Sequence, residues 1–261
     1  MSAEPPSSTG RDAADRLAAS FGFEAVDPAL KASRVRAVFD SVAGRYDLMN
    51  DLMSLGVHRL WKEALIDWLM PRRGCRHLDV AGGTGDIAFR LLDRLDGEAE
   101  VTLVDINPAM LEVGRDRALD RGWLDQIAWV AGDAERLPLP DRSFDAYTIA
   151  FGIRNVTHID RALAEAHRVL RPGGRLIVLE FCRLTFDPLR PVYDAYSLNL
   201  LPVIGRLIAN DADSYRYLAE SIRRFPDQAT FARLVAEAGF AQVKVRNLSG
   251  GIAALHSAWR V

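Results

Sequence analysis

Cysteine is scarce in this chain: 261 residues hold two, Cys75 and Cys182. A disulfide framework is thereby excluded. Neither cysteine has a second Cys or a His at zinc-ligand spacing, so a structural zinc site is excluded as well. Both thiols are expected to be buried and reduced. Long apolar runs are also lacking, and no stretch of about 18 uninterrupted apolar residues reads as a membrane span. Charge of one sign is not in excess. Lys and Arg number 33 against 35 Asp and Glu, for a net charge of −2. Such a balance argues against a nucleic-acid binder, whose affinity rests on many phosphate contacts. The opening stretch, residues 1–10, has no apolar core and carries Glu4. It reads as a disordered tail and not as a secretory signal, and Asp12 and Asp15 fit a transit peptide poorly.

What is present is an ordinary globular composition, 49% hydrophobic and 26% charged. Residues 11–75 read as a helical N-terminal region. Val35, Val38, Phe39 and Val42 recur at helical spacing, as do Leu60, Ala64, Leu65 and Leu69. From residue 76 the pattern alternates strand and helix. Strands are expected at 77–81, 101–104, 127–130, 144–149 and 175–180, and helices at 86–95, 108–121 and 158–170, the last ended by Arg171-Pro-Gly-Gly174. Several of the strands are short apolar runs, as strands covered on both faces should be. Such alternation implies an α/β fold with a doubly wound, mostly parallel sheet. Residues 188–224 read as helical, with breaks near Pro202 and Asp211. A helix at 227–238 and strands at 242–246 and 252–259 follow. The expected organisation is a tail at 1–10, a helical lid at 11–75 and a cofactor-binding domain at 76–261, with a helical insertion at about 185–225.

The strongest local signal is Leu78-Asp-Val-Ala-Gly-Gly-Thr-Gly-Asp86, a strand running into a glycine-rich turn that opens a helix. Glycines let the backbone turn tightly and approach a ligand closely. Asp105 ends the next strand, about 20 residues onward, where a carboxylate can accept from ribose hydroxyls. By itself this pattern leaves the ligand open, because Gly83-Thr-Gly-Asp-Ile-Ala88 also satisfies the relaxed dinucleotide fingerprint. Asp133 follows the third strand, at a carboxyl end of the sheet, where its oxygen could accept from the amino group of an adenine.

This layout resembles class I methyltransferases that use S-adenosyl-L-methionine. Two further stretches narrow the resemblance. Arg45-Tyr-Asp-Leu-Met-Asn-Asp-Leu-Met-Ser-Leu-Gly-Val-His-Arg-Leu-Trp61 and Arg168-Val-Leu-Arg-Pro-Gly-Gly-Arg-Leu-Ile-Val-Leu-Glu-Phe181 are similar to the two signatures of the ubiquinone/menaquinone biosynthesis C-methyltransferase family. Ala150-Phe-Gly-Ile-Arg-Asn-Val156 and Gly250-Gly-Ile-Ala-Ala-Leu-His256 also match, so the resemblance covers about residues 33–261. It implies a seven-stranded Rossmann-like sheet and S-adenosylmethionine as cofactor. The cofactor would be held by the turn Gly82, Gly83, Thr84 and Gly85, by Asp105 with Ile106, and by Asp133 with Ala134. The family often has Asn at position 133 and Ser at position 150. Ala150 could therefore contact the cofactor only through its backbone or by packing.

The implied reaction is methylation of a ring carbon of 2-methoxy-6-polyprenyl-1,4-benzoquinol, of demethylmenaquinol, or of both. A ring carbon becomes nucleophilic when a phenolic proton is removed. Arg154 and Asn155, just past the fourth strand, are expected to line the acceptor site. Guanidinium is a poor proton acceptor, so Arg154 is assigned to stabilising the developing phenolate, directly or through a water. Asn155 would orient that water or the second ring oxygen. Tyr46, with Asp47 and Asn50, belongs to a segment expected to fold over the cofactor. His58 lies in the first signature and satisfies a local hydrogen bond or acts as a base. The apolar stretch 198–208, with Phe186, Tyr193 and Tyr196, could form the mouth for an isoprenoid tail or rest on a bilayer. A cytoplasmic enzyme at the inner face of the membrane is expected, as a homodimer or within a quinone-biosynthesis complex. Two other readings stay open: a nicotinamide-dependent oxidoreductase on the same fold, and a non-catalytic scaffold.

Overall fold

A computed structural model describes residues 10–42, 50–51, 54, 56–182, 184–185 and 212–261. The helices are α1 (Gly10–Ala18), α2 (Pro28–Val42), α3 (His58–Leu69), α4 (Asp86–Arg94), α5 (Pro108–Arg121), α6 (Ile159–Val169), α7 (Ala212–Arg224) and α8 (Gln228–Glu237). The strands are β1 (Ser20–Phe21), β2 (Glu24–Ala25), β3 (Arg76–Val80), β4 (Glu100–Asp105), β5 (Ile127–Ala131), β6 (Phe144–Ala150), β7 (Leu170–Phe181), β8 (Ala241–Leu248) and β9 (Ala253–Trp259).

Seven strands form one sheet in the order β5-β4-β3-β6-β7-β9-β8. The first five are parallel; β9 runs antiparallel to both β7 and β8. Alternate residues of each central strand enter opposite cores. Leu103, Ile177, Leu179 and Leu255 face one layer, which holds Leu65 and Ile66 of α3 and Leu91 of α4. Val104, Leu78, Val178 and Ala254 face the other, which holds Leu163 of α6 and Leu234 of α8. Both faces are therefore apolar, which accounts for the short hydrophobic runs in the sequence. Truncating one such side chain, as in Leu91→Ala, would cost about 2–5 kcal/mol.

Local chemistry sets the helix ends that matter for the site. Asn107 caps α5, its side-chain oxygen accepting from Ala109 N at 2.9 Å and Met110 N at 3.3 Å, with Pro108 in the first turn. Gly85, at φ 88°, turns the chain into α4. The chain leaves β3 towards β4 and β5, then returns to the other side of β3 with β6. The order reverses there, and open sheets of this kind hold ligands at the carboxyl ends beside such a reversal.

Several expectations are corrected. Gly10 is buried in the first turn of α1 and does not belong to a tail, because Ala13, Ala14 and Leu17 pack α1 into the protein. The N-terminal region is not helical throughout. A two-stranded hairpin interrupts it at Gly22, whose φ of 58° supplies the turn. Residues Arg171–Gly174 follow α6 as an irregular opening of β7, where the register against β6 shifts and Gly173 has φ 79°. They are taken into β7, where Gly173 N donates to Arg260 O at 2.7 Å and Arg260 N donates to Gly174 O at 2.9 Å. Cys182 is buried as expected, but Cys75, just ahead of β3, is only half-buried. Tyr46, Asp47, Phe186, Tyr193, Tyr196 and the stretch 198–208 lie outside the described residues.

Candidate active site

Two adjoining hollows open at the carboxyl ends of the central strands. The larger is a cleft of about 790 Å³, counting its open mouth. It is lined by Val80, Ala81 and Gly83 at the end of β3, by Asp105, Ile106 and Asn107 at the end of β4, and by Gly132, Asp133 and Ala134 after β5. Phe151, Gly152 and Asn155 after β6 form one wall, and Ala32, Val35, Arg36 and Phe39 of α2 form another. The smaller hollow, about 350 Å³, is lined by Gly82, Thr84 and Ala150 together with Lys62, Asp79 and Asp86. Gly83, Ala81 and Phe151 border both.

Backbone geometry at this junction is unusual. Ala81 has φ 50° and Phe151 has φ 58°, left-handed conformations that cost a side-chain-bearing residue about 1–3 kcal/mol. Each ends a strand and re-aims the chain beneath the hollows. A Cβ on Gly152 would come within 2.5 Å of Ala81 Cβ, so the two turns close on each other only with glycine there. Likewise a Cβ on Gly82 would meet Leu103 Cγ at 2.6 Å and Asp79 Oδ2 at 2.8 Å.

The glycine turn and Asp105 act as one unit. Asp105 Oδ2 accepts from Gly83 N and Oδ1 accepts from Asn107 N, both at 2.8 Å. Burial raises its pKa, against the pull of these backbone donors. The carboxylate is thus fixed in direction at the edge of the cleft that it lines. Asp133 Oδ1 accepts from Glu135 N at 2.9 Å, and Ala134 is buried beside it. Thr84 accepts from Arg117 Nη1 at 3.0 Å. Gly85 lines neither hollow; its part is the turn itself.

Arg154 does not stand where the sequence reading put it. It is 1% exposed and is not among the residues that line either hollow. Its Nη1 donates to Glu180 Oε1 and to Phe151 O, each at 2.6 Å. Glu180 is fully buried, and burial raises its pKa against the opposing charge of Arg154. Asn155 is the member of the pair that lines the cleft. His58 is buried and hydrogen-bonded through Nε2 to Asp51 Oδ1 at 2.9 Å, outside both hollows. That is the local hydrogen bond expected for it.

Sequence reasoning missed Lys62 and Asp79. Asp79 ends on Thr148, whose Oγ1 donates to Oδ1 at 2.8 Å, while Oδ2 is buried without a hydrogen-bond partner. Burial raises its pKa to about 7. Lys62, 4% exposed, pairs with Asp86 at 2.5 Å. Burial would raise the pKa of Asp86, but Lys62 and Arg90 outweigh it and hold it below the usual range. Asp79 was legible as a charged residue inside an apolar strand. Lys62 had no such signal, since only the packing of α3 aims it inward.

Comparison with known proteins shows the family and the fold. Residues 28–260 match the model of the ubiE/COQ5 methyltransferase family. The chain is 61% identical over 241 residues to the ubiquinone/menaquinone biosynthesis C-methyltransferase UbiE of Paracoccus denitrificans, covering 92% of this chain and 96% of that protein. It is 57% identical over 244 residues to the UbiE of Brucella abortus, covering 93% and 91%. Among solved structures, a methyltransferase of Thermotoga maritima described as SAM-dependent superposes with a TM-score of 0.63 at 22% identity, over 87% of this chain and all of that one. The cyclase SpnF superposes at 0.59 with 18% identity, over 77% and 80%. These structural likenesses carry the fold alone, and a cyclase among them shows that the fold does not set the reaction. By sequence, the chain belongs to the ubiE/COQ5 methyltransferase family.

Proposed function

We propose that the protein transfers a methyl group from S-adenosylmethionine to a ring carbon of a polyprenylated benzoquinol, of demethylmenaquinol, or of both. The acceptor in this reading follows from the family, and the observation that carries the cofactor is the unpartnered, buried Oδ2 of Asp79 in the smaller hollow. A buried carboxyl oxygen without a partner there suits an ammonium. The hollow is thus matched to the amino-acid end of the cofactor, and the larger cleft, with Asp105 and Asp133, to its nucleoside. Gly82 and Gly83 keep the intervening backbone free of side chains. When bound, the cofactor supplies an electrophilic methyl on a sulfonium.

The chain's own residues hold the acceptor and keep water out. Asn155 presents its amide to the cleft and stabilises the ring oxygen that gives up its proton. Arg154 serves by holding the Phe151 carbonyl, and so the strained wall between the hollows. The α2 residues Val35 and Phe39 cover the cleft with apolar surface, which favours a dry site. The isoprenoid tail of the acceptor supports work at the cytoplasmic face of a membrane. Among the described residues, no helix is long and apolar enough to cross one.

Ligand-induced stabilisation tests the cofactor. S-adenosylmethionine and its demethylated product should raise Tm in a concentration-dependent way, and NAD should not. A shift with NAD alone would favour hydride transfer instead.

A further inference from the structure

Asn155 is gripped by a residue from outside the parallel part of the sheet. Tyr217, on α7, places its hydroxyl 3.0 Å from Asn155 Oδ1. The Tyr217 ring stacks on Phe21 of β1, with centroids 4.2 Å apart and planes at 19°. Phe21 belongs to the N-terminal hairpin, so the amide is held by elements from both ends of the chain.

The contacts also fix which way the amide points. Its other side faces Phe151 O at 3.5 Å. A carbonyl only accepts, so the NH2 group must lie there and the oxygen must face Tyr217. Tyr217 is buried, which keeps its phenol protonated and able to donate to that oxygen. Tyr217 takes one lone pair of Oδ1 and Phe151 O faces one N–H, so the second N–H is what this orientation offers the cleft that Asn155 lines.

We propose that Tyr217 is a positioning residue that sets Asn155 as a hydrogen-bond donor to the acceptor. The site then favours an acceptor that presents an oxygen lone pair or oxyanion at this point over one that presents a donor. This rests on the methyl-transfer reading above. Without the hydroxyl, only the long 3.5 Å contact to Phe151 O holds the amide, and its oxygen can turn towards the acceptor, where it repels developing negative charge.

The test uses the full-length protein and Tyr217→Phe, which keeps the ring on Phe21. The kcat for methyl transfer should fall about ten-fold, the scale of one misdirected hydrogen bond. The Kd for S-adenosylmethionine and the Tm should stay close to wild type. In an Asn155→Ala background the same substitution should change kcat no further. The side-chain amide resonances of Asn155 in 15N-labelled protein, assigned by their loss in Asn155→Ala, should move in Tyr217→Phe. A kcat within two-fold of wild type, an equal loss on both backgrounds, or unmoved amide resonances would each overturn the proposal. If the wild-type protein transfers no methyl group, the functional reading fails, and the resonances still decide whether Tyr217 orients the amide.

Discussion

Asp79→Asn should make the ligand-free protein more stable and bind its cofactor less well. The carboxyl is fully buried, its pKa moves from 3.8 to about 7, and only Oδ1 has a partner. Native protein holds this proton across a range in which the unfolded chain has released it. Stability from this group is therefore complete below about pH 4 and is lost as pH rises through about 7. A shift of roughly three units corresponds to a ceiling of about 4 kcal/mol at pH 8. Asparagine keeps the oxygen that accepts from Thr148 and never ionises, so the loss should disappear. Denaturant titrations of both proteins without cofactor, from pH 4 to pH 8, read this directly. The variant should match wild type near pH 4 and exceed it by about 2–4 kcal/mol at pH 8. Its affinity for S-adenosylmethionine at pH 8 should fall, since a charge-assisted hydrogen bond worth about 1.5–3 kcal/mol is removed. Parallel stability curves for the two proteins would refute the reasoning.

Other perturbations follow from the same geometry. Arg154→Ala strands Glu180 in the core and should cost about 3–5 kcal/mol in chemical denaturation, with part of the loss returned by adding Glu180→Gln. Gly82→Ala drives a methyl into Leu103 and Asp79, and calorimetry should show cofactor affinity reduced at least about ten-fold while the chain still folds. Lys31 is buried, donates to Leu17 O at 2.7 Å and Val156 O at 3.2 Å, and has its pKa lowered by burial from 10.5 to about 8, against the pull of Glu135. The unfolded chain holds that proton longer, so wild-type stability should rise from pH 8 to 10.5, a rise that Lys31→Met abolishes.

The sheet was readable because its central strands are buried on both faces and its turns carry glycine at fixed points. The glycines of the Gly82–Gly85 turn were readable because positive φ and close packing demand them, and Asp105 was readable from its place at the end of the next strand. The partners of Arg154 were not. Proximity to a strand end said that it lay on the ligand side, but only packing decides which of two adjacent side chains faces the cleft. Glu180 lies inside an apolar strand, and nothing local tied it to a residue 26 positions earlier. The hairpin at Ser20–Ala25 was missed because two strands of two residues each leave no periodic trace. Tyr217 and Lys62 are single side chains on helices whose roles come from tertiary contacts, and helical periodicity does not distinguish a core tyrosine from one that directs an amide.

The central claim concerns where the methyl group goes. Incubating the protein with S-adenosylmethionine carrying a 13C-methyl group, and with reduced demethylmenaquinone or a methoxy-polyprenyl benzoquinol, permits direct detection by carbon NMR and mass spectrometry. The account predicts a labelled methyl bonded to a ring carbon of at least one acceptor. Label on an oxygen of the acceptor, or none on either acceptor from a protein that binds the cofactor, would contradict it.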